Sequence, residues 1–266
     1  MSDASNKSPA NARTETGAAH VLSAHYQATM ACWRRIAEKL KDDIARLDDN
    51  AFLAERPATK FILTWMRELS RFQSEFGQLF GRRKRPSAGD EFTAAVGLSL
   101  EQFLASRNVP GRIRCEENTH QKRGATKPDV SVRSITDQLV ATVECKTDLG
   151  WDRKEWKNKC EKRAEDLGKL FPGVLSFLCV QTSRNWDSSE FEKSPHFGNL
   201  WFCLSTVSTG HISDPIADSE ILSPIEPMFF DILAKVRSVN DTEIVDWLRR
   251  LSPQEQQEII RHSLKE

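Results

Sequence analysis

The stretch "TKPDVSVRSITDQLVATVECKTDLGW", Thr126 to Trp151, decides the fold. "DVSVRS" and "LVATVECK" are rich in Val and Thr and alternate in character, as half-buried strands do, and the polar "ITDQ" between them reads as a turn. The pattern predicts a β-hairpin. With the turn centred between Thr136 and Asp137, Asp129 falls opposite Glu144. Side chains alternate across a strand, so Lys127, Ser131, Thr142 and Lys146 share the face of these two acids. Val130, Val132, Ala141, Val143 and Cys145 line the other face. One side of the hairpin is apolar and the other carries charge.

Two carboxylates facing each other across a strand pair destabilise it. A bound divalent cation accounts for holding them together: Mg²⁺ takes hard oxygen ligands, commonly one or two carboxylates with water and phosphate oxygens completing the shell. Lys146, two residues beyond Glu144 on the same face, is placed to orient or deprotonate an attacking water and to offset charge developing on a phosphate.

Pro128-Asp129 followed by Glu144-Cys145-Lys146 resembles the PD-(D/E)XK motif of the restriction-endonuclease-like nuclease superfamily. The resemblance implies that Asp129 and Glu144 bind metal, that Lys146 assists hydrolysis, and that Cys145 adds its backbone carbonyl to the metal shell. Mg²⁺ is the expected cofactor, with Mn²⁺ able to substitute. The surrounding pattern is similar too. "DEFTAAVGLSLEQFLAS" spaces Phe92, Val96, Leu100, Phe103 and Leu104 as a helix does, with Gly89 and Asp90 as start signals. The short alternating "GRIRCEEN" precedes the hairpin. After it, "DRKEWKNKCEKRAEDLGKLF" sets Trp156, Cys160, Ala164, Leu167 and Leu170 as an apolar stripe on a charged helix. "GVLSFLCVQTS" is apolar enough for a strand buried on both faces, and "LWFCLSTVS" adds another. The expected fold is therefore α/β, a restriction-endonuclease-like α-β-β-β-α-β-β core with a mixed central sheet flanked by helices and with helical N- and C-terminal additions. The family also tends to carry an acid on the first core helix. Glu91 is the better match and Glu101 the reserve, while an ordinary surface Glu favoured by the helix dipole is the alternative for either.

Composition bounds this reading. Across 266 residues the 38 Lys and Arg balance the 38 Asp and Glu, so overall charge selects no nucleic-acid partner. Locally the balance shifts: from Arg107 to Arg163 there are fourteen Lys and Arg against nine Asp and Glu. That surplus suits phosphate, and a solvated face would share it. The six cysteines form no CxxC pair, so buried free thiols in a reducing cytoplasm are expected. No membrane span or signal peptide is expected.

Four regions follow: a disordered tail over 1–19, a helical region with a basic linker over 20–87, the nuclease-like core over 88–210, and a helical region over 211–266. In the second, two helical stripes, Val21 to Leu47 and Phe61 to Leu79, imply a helical hairpin whose apolar faces favour packing over DNA contact. The run Arg82 to Arg85 reads as a linker, a DNA-backbone contact or a nuclear import signal. Candidate DNA contacts beside the motif are Lys122, Arg123 and Lys127 in the turn before Asp129, and Trp151, Arg153 and Lys154 after Lys146. Packing and solvation remain the rival readings, and for Trp156 packing is preferred. In the last region "SEILSPIEPMFFDILAKV" and "DTEIVDWLRRLSPQEQQEIIRHSL" read as helices, and Ser252-Pro253-Gln254-Glu255 has the form of a capping box.

The function these residues point to is Mg²⁺-dependent endonucleolytic hydrolysis of double-stranded DNA, in the manner of a type II restriction endonuclease acting as a homodimer. A repair or junction-resolving nuclease on the same core, and a non-catalytic nuclease-like binding module, are the alternatives.

Overall fold

The computed structural model describes residues 9–80, 88–119, 126–150, 155–252 and 254–255. Lys122, Arg123, Trp151, Arg153, Lys154 and the basic run from Arg82 to Arg85 lie outside the described residues. Among the described residues the order is α1 (Pro9–Arg46), α2 (Asp49–Glu55), α3 (Pro57–Phe80), α4 (Ala88–Ser106), β1 (Arg112–Cys115), β2 (Val130–Arg133), β3 (Leu139–Lys146), α5 (Trp156–Leu170), β4 (Leu175–Thr182), α6 (Ser189–Glu192), β5 (Trp201–Ser205) and α7 (Glu226–Arg250).

The hairpin has the expected register. Val130 pairs with Val143, Ser131 with Thr142 and Val132 with Ala141, and an irregularity between Val132 and Arg133 shifts only the turn end. The turn closes through Ser134 N–H to Gln138 O (2.9 Å) and Asp137 N–H to Ser134 O (3.1 Å), with Asp137 at φ 72°, a left-handed conformation that Asp tolerates. Strands β1, β2 and β3 run antiparallel, and β3, β4 and β5 run parallel, so the sheet is mixed and ordered β1-β2-β3-β4-β5. The fold is α/β with helices on both faces.

The strand period divides the core in two. Val130, Val132, Ala141, Val143, Cys145, Cys179, Phe202 and Leu204 join the main core with α3, α4 and α7. Leu178, Val180, Trp201 and Cys203 face the other way, against Leu149, Trp156 of α5 and Phe191 of α6. Gly97 lets α4 lie close on the sheet, since a Cβ there would sit 2.8 Å from Cys115 Sγ.

The helical hairpin is a packing device. Trp33 of α1 stacks on Trp65 of α3 with centroids 5.2 Å apart and planes 6° from parallel, while Leu40, Ile44, Ile62 and Leu69 are buried. Helix α1 starts at Pro9, inside the segment expected to be disordered to residue 19; Ala, Thr and Glu there are compatible with a helix. Four expectations need correction. The two C-terminal helices are one through Arg250, because nothing between Lys235 and Asp241 breaks the backbone. The stretch before Glu226 is mostly irregular, with 3₁₀ turns at Thr209–His211 and Asp218–Glu220. Leu170, at the end of the α5 stripe, is exposed. Of the six free cysteines only Cys145, Cys179 and Cys203 are buried, Cys32 and Cys160 are partly so, and Cys115 is exposed. The capping box is formed: Glu255 accepts from Ser252 N–H (2.8 Å) and donates its own N–H to Ser252 Oγ (3.4 Å). No helix among the described residues is long and apolar enough to cross a membrane.

Candidate active site

Asp129 stands just before β2, and its backbone carbonyl continues the β1 ladder by accepting from Glu116 N–H (2.9 Å). Its carboxylate turns across to β3, where Oδ2 accepts from Cys145 N–H at 2.7 Å. A backbone donor thus fixes the acid between the strands. Glu144 and Lys146 stand on the same face of β3, and Lys146 Nζ donates to Glu144 Oε1 (2.6 Å), Asp129 Oδ2 (3.2 Å) and Cys145 O (3.3 Å). The side chains of Asp129, Glu144 and Lys146 are 23%, 16% and 30% exposed, so the cluster is sheltered yet open on one side. The facing acids, the acid-lysine pair and their common face are as the sequence predicts.

Glu144 Oε2 pairs with the guanidinium of Arg163 on α5, whose Nη2 also donates to Lys127 O (2.7 Å). Two carboxylates and two cations balance, which offsets the repulsion between the facing acids. Burial pulls the Lys146 ammonium down, but its hydrogen bonds to and charges from Glu144 and Asp129 outweigh that, and its pKa is raised from the ordinary Lys value. Burial pushes the Cys145 thiol well up, with Cys179, Asp129 and Glu144 adding to it. The thiol lies in the main core, and the Cys145 backbone N–H and carbonyl turn to the site.

Three oxygens, Asp129 Oδ2, Glu144 Oε1 and Cys145 O, therefore converge on one cationic nitrogen. That is a hard-oxygen set of the kind Mg²⁺ accepts. No group of three or more His, Cys, Asp and Glu side chains gathers as a metal site among the described residues, so the protein would supply two carboxylates and a carbonyl.

Glu91 is not brought to this cluster. Its Oε2 accepts from Trp65 Nε1 (3.2 Å), tying it to α3. On α4 Gly97 marks the side toward the sheet, and at 3.6 residues per turn Glu101 lies about 40° from it and Glu91 about 120°. Glu101, the reserve, is near enough to Cys115 to help raise that thiol's pKa, after burial and together with Glu116 and Asp129. It is exposed. Lys127 is exposed and ion-paired to Glu116 (2.9 Å), with its backbone serving Arg163. Trp156 packs edge-on to Trp201 (5.1 Å), as the packing reading predicts.

Sequence reading missed Arg163, although a signal was present. It sits seven residues after Trp156, on the α5 face that turns to the sheet, where a charge needs a partner. Also missed was a cavity of about 450 Å³ between α5 and the sheet, walled by Glu144, Lys146, Arg163, Trp156, Trp201 and His196 among others. His196 lies in the loop before β5 and packs against Trp201 at 4.8 Å. Its place there could not be read from spacing. Compared with protein-family models, curated proteins and solved structures, the chain matches none.

Proposed function

We propose that the chain is a metal-dependent nuclease hydrolysing phosphodiester bonds in double-stranded DNA, built on a restriction-endonuclease-like core and acting as a type II restriction endonuclease does. The observation that carries this reading is the convergence of Asp129, Glu144 and the Cys145 carbonyl on the Lys146 ammonium, at the open side of a sheltered face. Asp129, Glu144 and Cys145 O would hold Mg²⁺ or Mn²⁺, and the ion when bound supplies Lewis-acid polarisation of the phosphate and a lowered pKa for water. Cys145 N–H keeps the Asp129 carboxylate in place. Lys146, held as an ammonium, donates a hydrogen bond to the attacking water or to a phosphate oxygen. Arg163 brings a second fixed cation to the same point, where negative charge grows as the bond breaks. Glu91 is not part of this mechanism.

A homodimer fits the C-terminal end of α7, where Ile244, Val245 and Trp247 are exposed. A second reading, a nuclease-like module that binds without cutting, draws on the same ion pairs, because Lys146 and Arg163 balance both acids unaided. The two readings part in one experiment: incubation of plasmid and phage DNA with Mg²⁺, comparing the native chain with Asp129→Asn and Lys146→Ala. Discrete fragments from the native chain alone are expected. No metal-dependent cutting of duplex, single-stranded or branched DNA leaves the binding module, and undiminished cutting by the variants places the site elsewhere.

A further inference from the structure

The cavity beside Lys146 is shaped for more than a phosphate. Glu144, Lys146 and Arg163 are among its walls, so a molecule inside borders the reactive cluster. Much of the remaining wall is aromatic and aliphatic: Trp156 and Trp201 meet edge to face at 5.1 Å and 72°, and Leu149, Leu178 and Leu200 line it too. Polar atoms are few and placed. The hydroxyls of Thr142 and Ser176, 3.4 Å apart, lie on the strand floor, and the His196 ring packs on Trp201. The His196 carbonyl accepts from the backbone N–H groups of Asn199 (3.1 Å), Leu200 and Trp201 (2.8 Å each), which fixes the loop that carries the ring.

Beyond Arg163 the surface changes character. A second hollow is lined by Lys127, Lys159, Lys162 and Arg163, with Asp166 as its only acid. Arg163 and Lys159 belong to both walls. A basic track therefore runs up to the Asp129–Glu144–Lys146 cluster, and the largely apolar cavity adjoins it through Lys159 and Arg163. A ligand that matches both is a planar heterocycle on an anionic chain. About 450 Å³ falls within the range of small-molecule pockets, roughly 300–1,000 Å³. A cavity of that size suits a small molecule such as a single nucleotide rather than a duplex.

We propose that this cavity is a nucleobase pocket, and that the chain acts at a nucleotide whose base has left the stack, with the adjoining phosphate at Lys146 and Arg163 and the backbone following Lys127, Lys159 and Lys162. The proposal rests on the nuclease reading and narrows its substrate from plain duplex to DNA with an unpaired or extrahelical base. Extrusion of a paired base has a cost that a bulged, mismatched or single-stranded base largely avoids. Stacking on aromatic side chains and contacts from the fixed His196 ring would favour the base inside the pocket.

The test measures binding in Ca²⁺, apart from cleavage. Fluorescein-labelled duplexes of equal length are titrated by anisotropy: one fully paired, one with a single bulged adenine, and one with an abasic residue at the bulge. The bulged adenine should bind at least tenfold tighter than the paired and abasic duplexes. Ala164→Trp, which fills the cavity from α5, should remove that preference and leave affinity for the paired duplex within about twofold. His196→Ala, which takes only the imidazole from the wall and leaves Trp156 and Trp201 in place, should weaken the preference severalfold and guards against misfolding of the filled variant. Equal binding of the three duplexes, or a preference untouched by both variants, overturns the pocket. Mg²⁺-dependent cutting that ignores the bulge also overturns it while leaving the nuclease intact; base-selective binding without any cutting keeps the pocket and removes the nuclease.

Discussion

Thr59→Val should destabilise the chain far more than its size suggests. Thr59 lies in the first turn of α3 and is fully buried. Its N–H and hydroxyl donate to the two oxygens of Glu226 (2.8 and 2.6 Å), and the hydroxyl oxygen accepts from Ile225 N–H (2.9 Å). Glu226, itself buried, opens α7, so one carboxylate serves the N-termini of two helices and joins the N-terminal hairpin to the core. Valine keeps the shape and removes only the hydroxyl, leaving Ile225 N–H without an acceptor and Glu226 Oε2 without that donor. At about 1–3 kcal/mol for each orphaned buried group, the loss is about 4 kcal/mol, against a total stability of roughly 5–15 kcal/mol. Thr59→Ser keeps the hydroxyl and should cost about 1 kcal/mol for the lost methyl. Urea unfolding followed by tryptophan fluorescence measures both. Burial, the largest influence, raises the Glu226 pKa, and its hydrogen bonds with Thr59 partly offset that. The stability due to this acid is thus full below the ordinary Glu value and is lost as pH rises through its folded value. Removing the hydroxyl raises that folded value further, so the Thr59→Val penalty should grow from acid to neutral pH. A valine variant no weaker than the serine variant, or a penalty flat with pH, would refute the account.

Two further outcomes follow from single side chains. Lys146→Met should enlarge the rise in melting temperature that Mg²⁺ produces, because the ammonium and the cation compete for the same three oxygens; a thermal shift equal to that of the native chain would contradict the shared position. Arg67→Met should cost about 2–3 kcal/mol and speed proteolysis of the loop around Ser213, since the buried guanidinium bridges Glu68 (3.0 Å), the Ser213 carbonyl and Asp214 (3.1 Å). Unchanged cleavage of that loop would show that Arg67 does not hold it.

The hairpin was legible because its two strands alternate cleanly and its turn residues fix one register, and a slip of one position would have turned Val130, Val132 and Val143 to the charged face. The acid pair followed from that register alone. What stayed hidden depends on contacts between segments distant in sequence. Asn240 looks like a break between two C-terminal helices, yet it is buried within α7, accepting from Ile135 N–H (3.2 Å) and donating to Pro110 O (2.8 Å). Those partners lie more than a hundred residues away, and no local pattern announces them. The placing of Glu91 beside Trp65 was hidden for a related reason: helical phase shows that 91 and 101 face different ways but not which way the site lies until α4 is set on the sheet.

The arrangement of the site also limits how it can change. Asp129 is held by a β3 amide, Glu144 by one cation from β3 and one from α5, and Arg163 by its bonds to Glu144 and to the Lys127 backbone. Arg163 reaches these partners because α5 is seated on the sheet by Trp156, which packs on Phe191 (5.4 Å) and Trp201 (5.1 Å). Those same tryptophans wall the cavity. Reshaping the pocket at Trp156 or Trp201 therefore moves the cation that faces Glu144, whereas Ala164 and His196 offer ways to alter the pocket without unseating the helix. The shape of the cavity and the charge balance of the acid pair are coupled through the Trp156–Trp201 contact between α5 and β5.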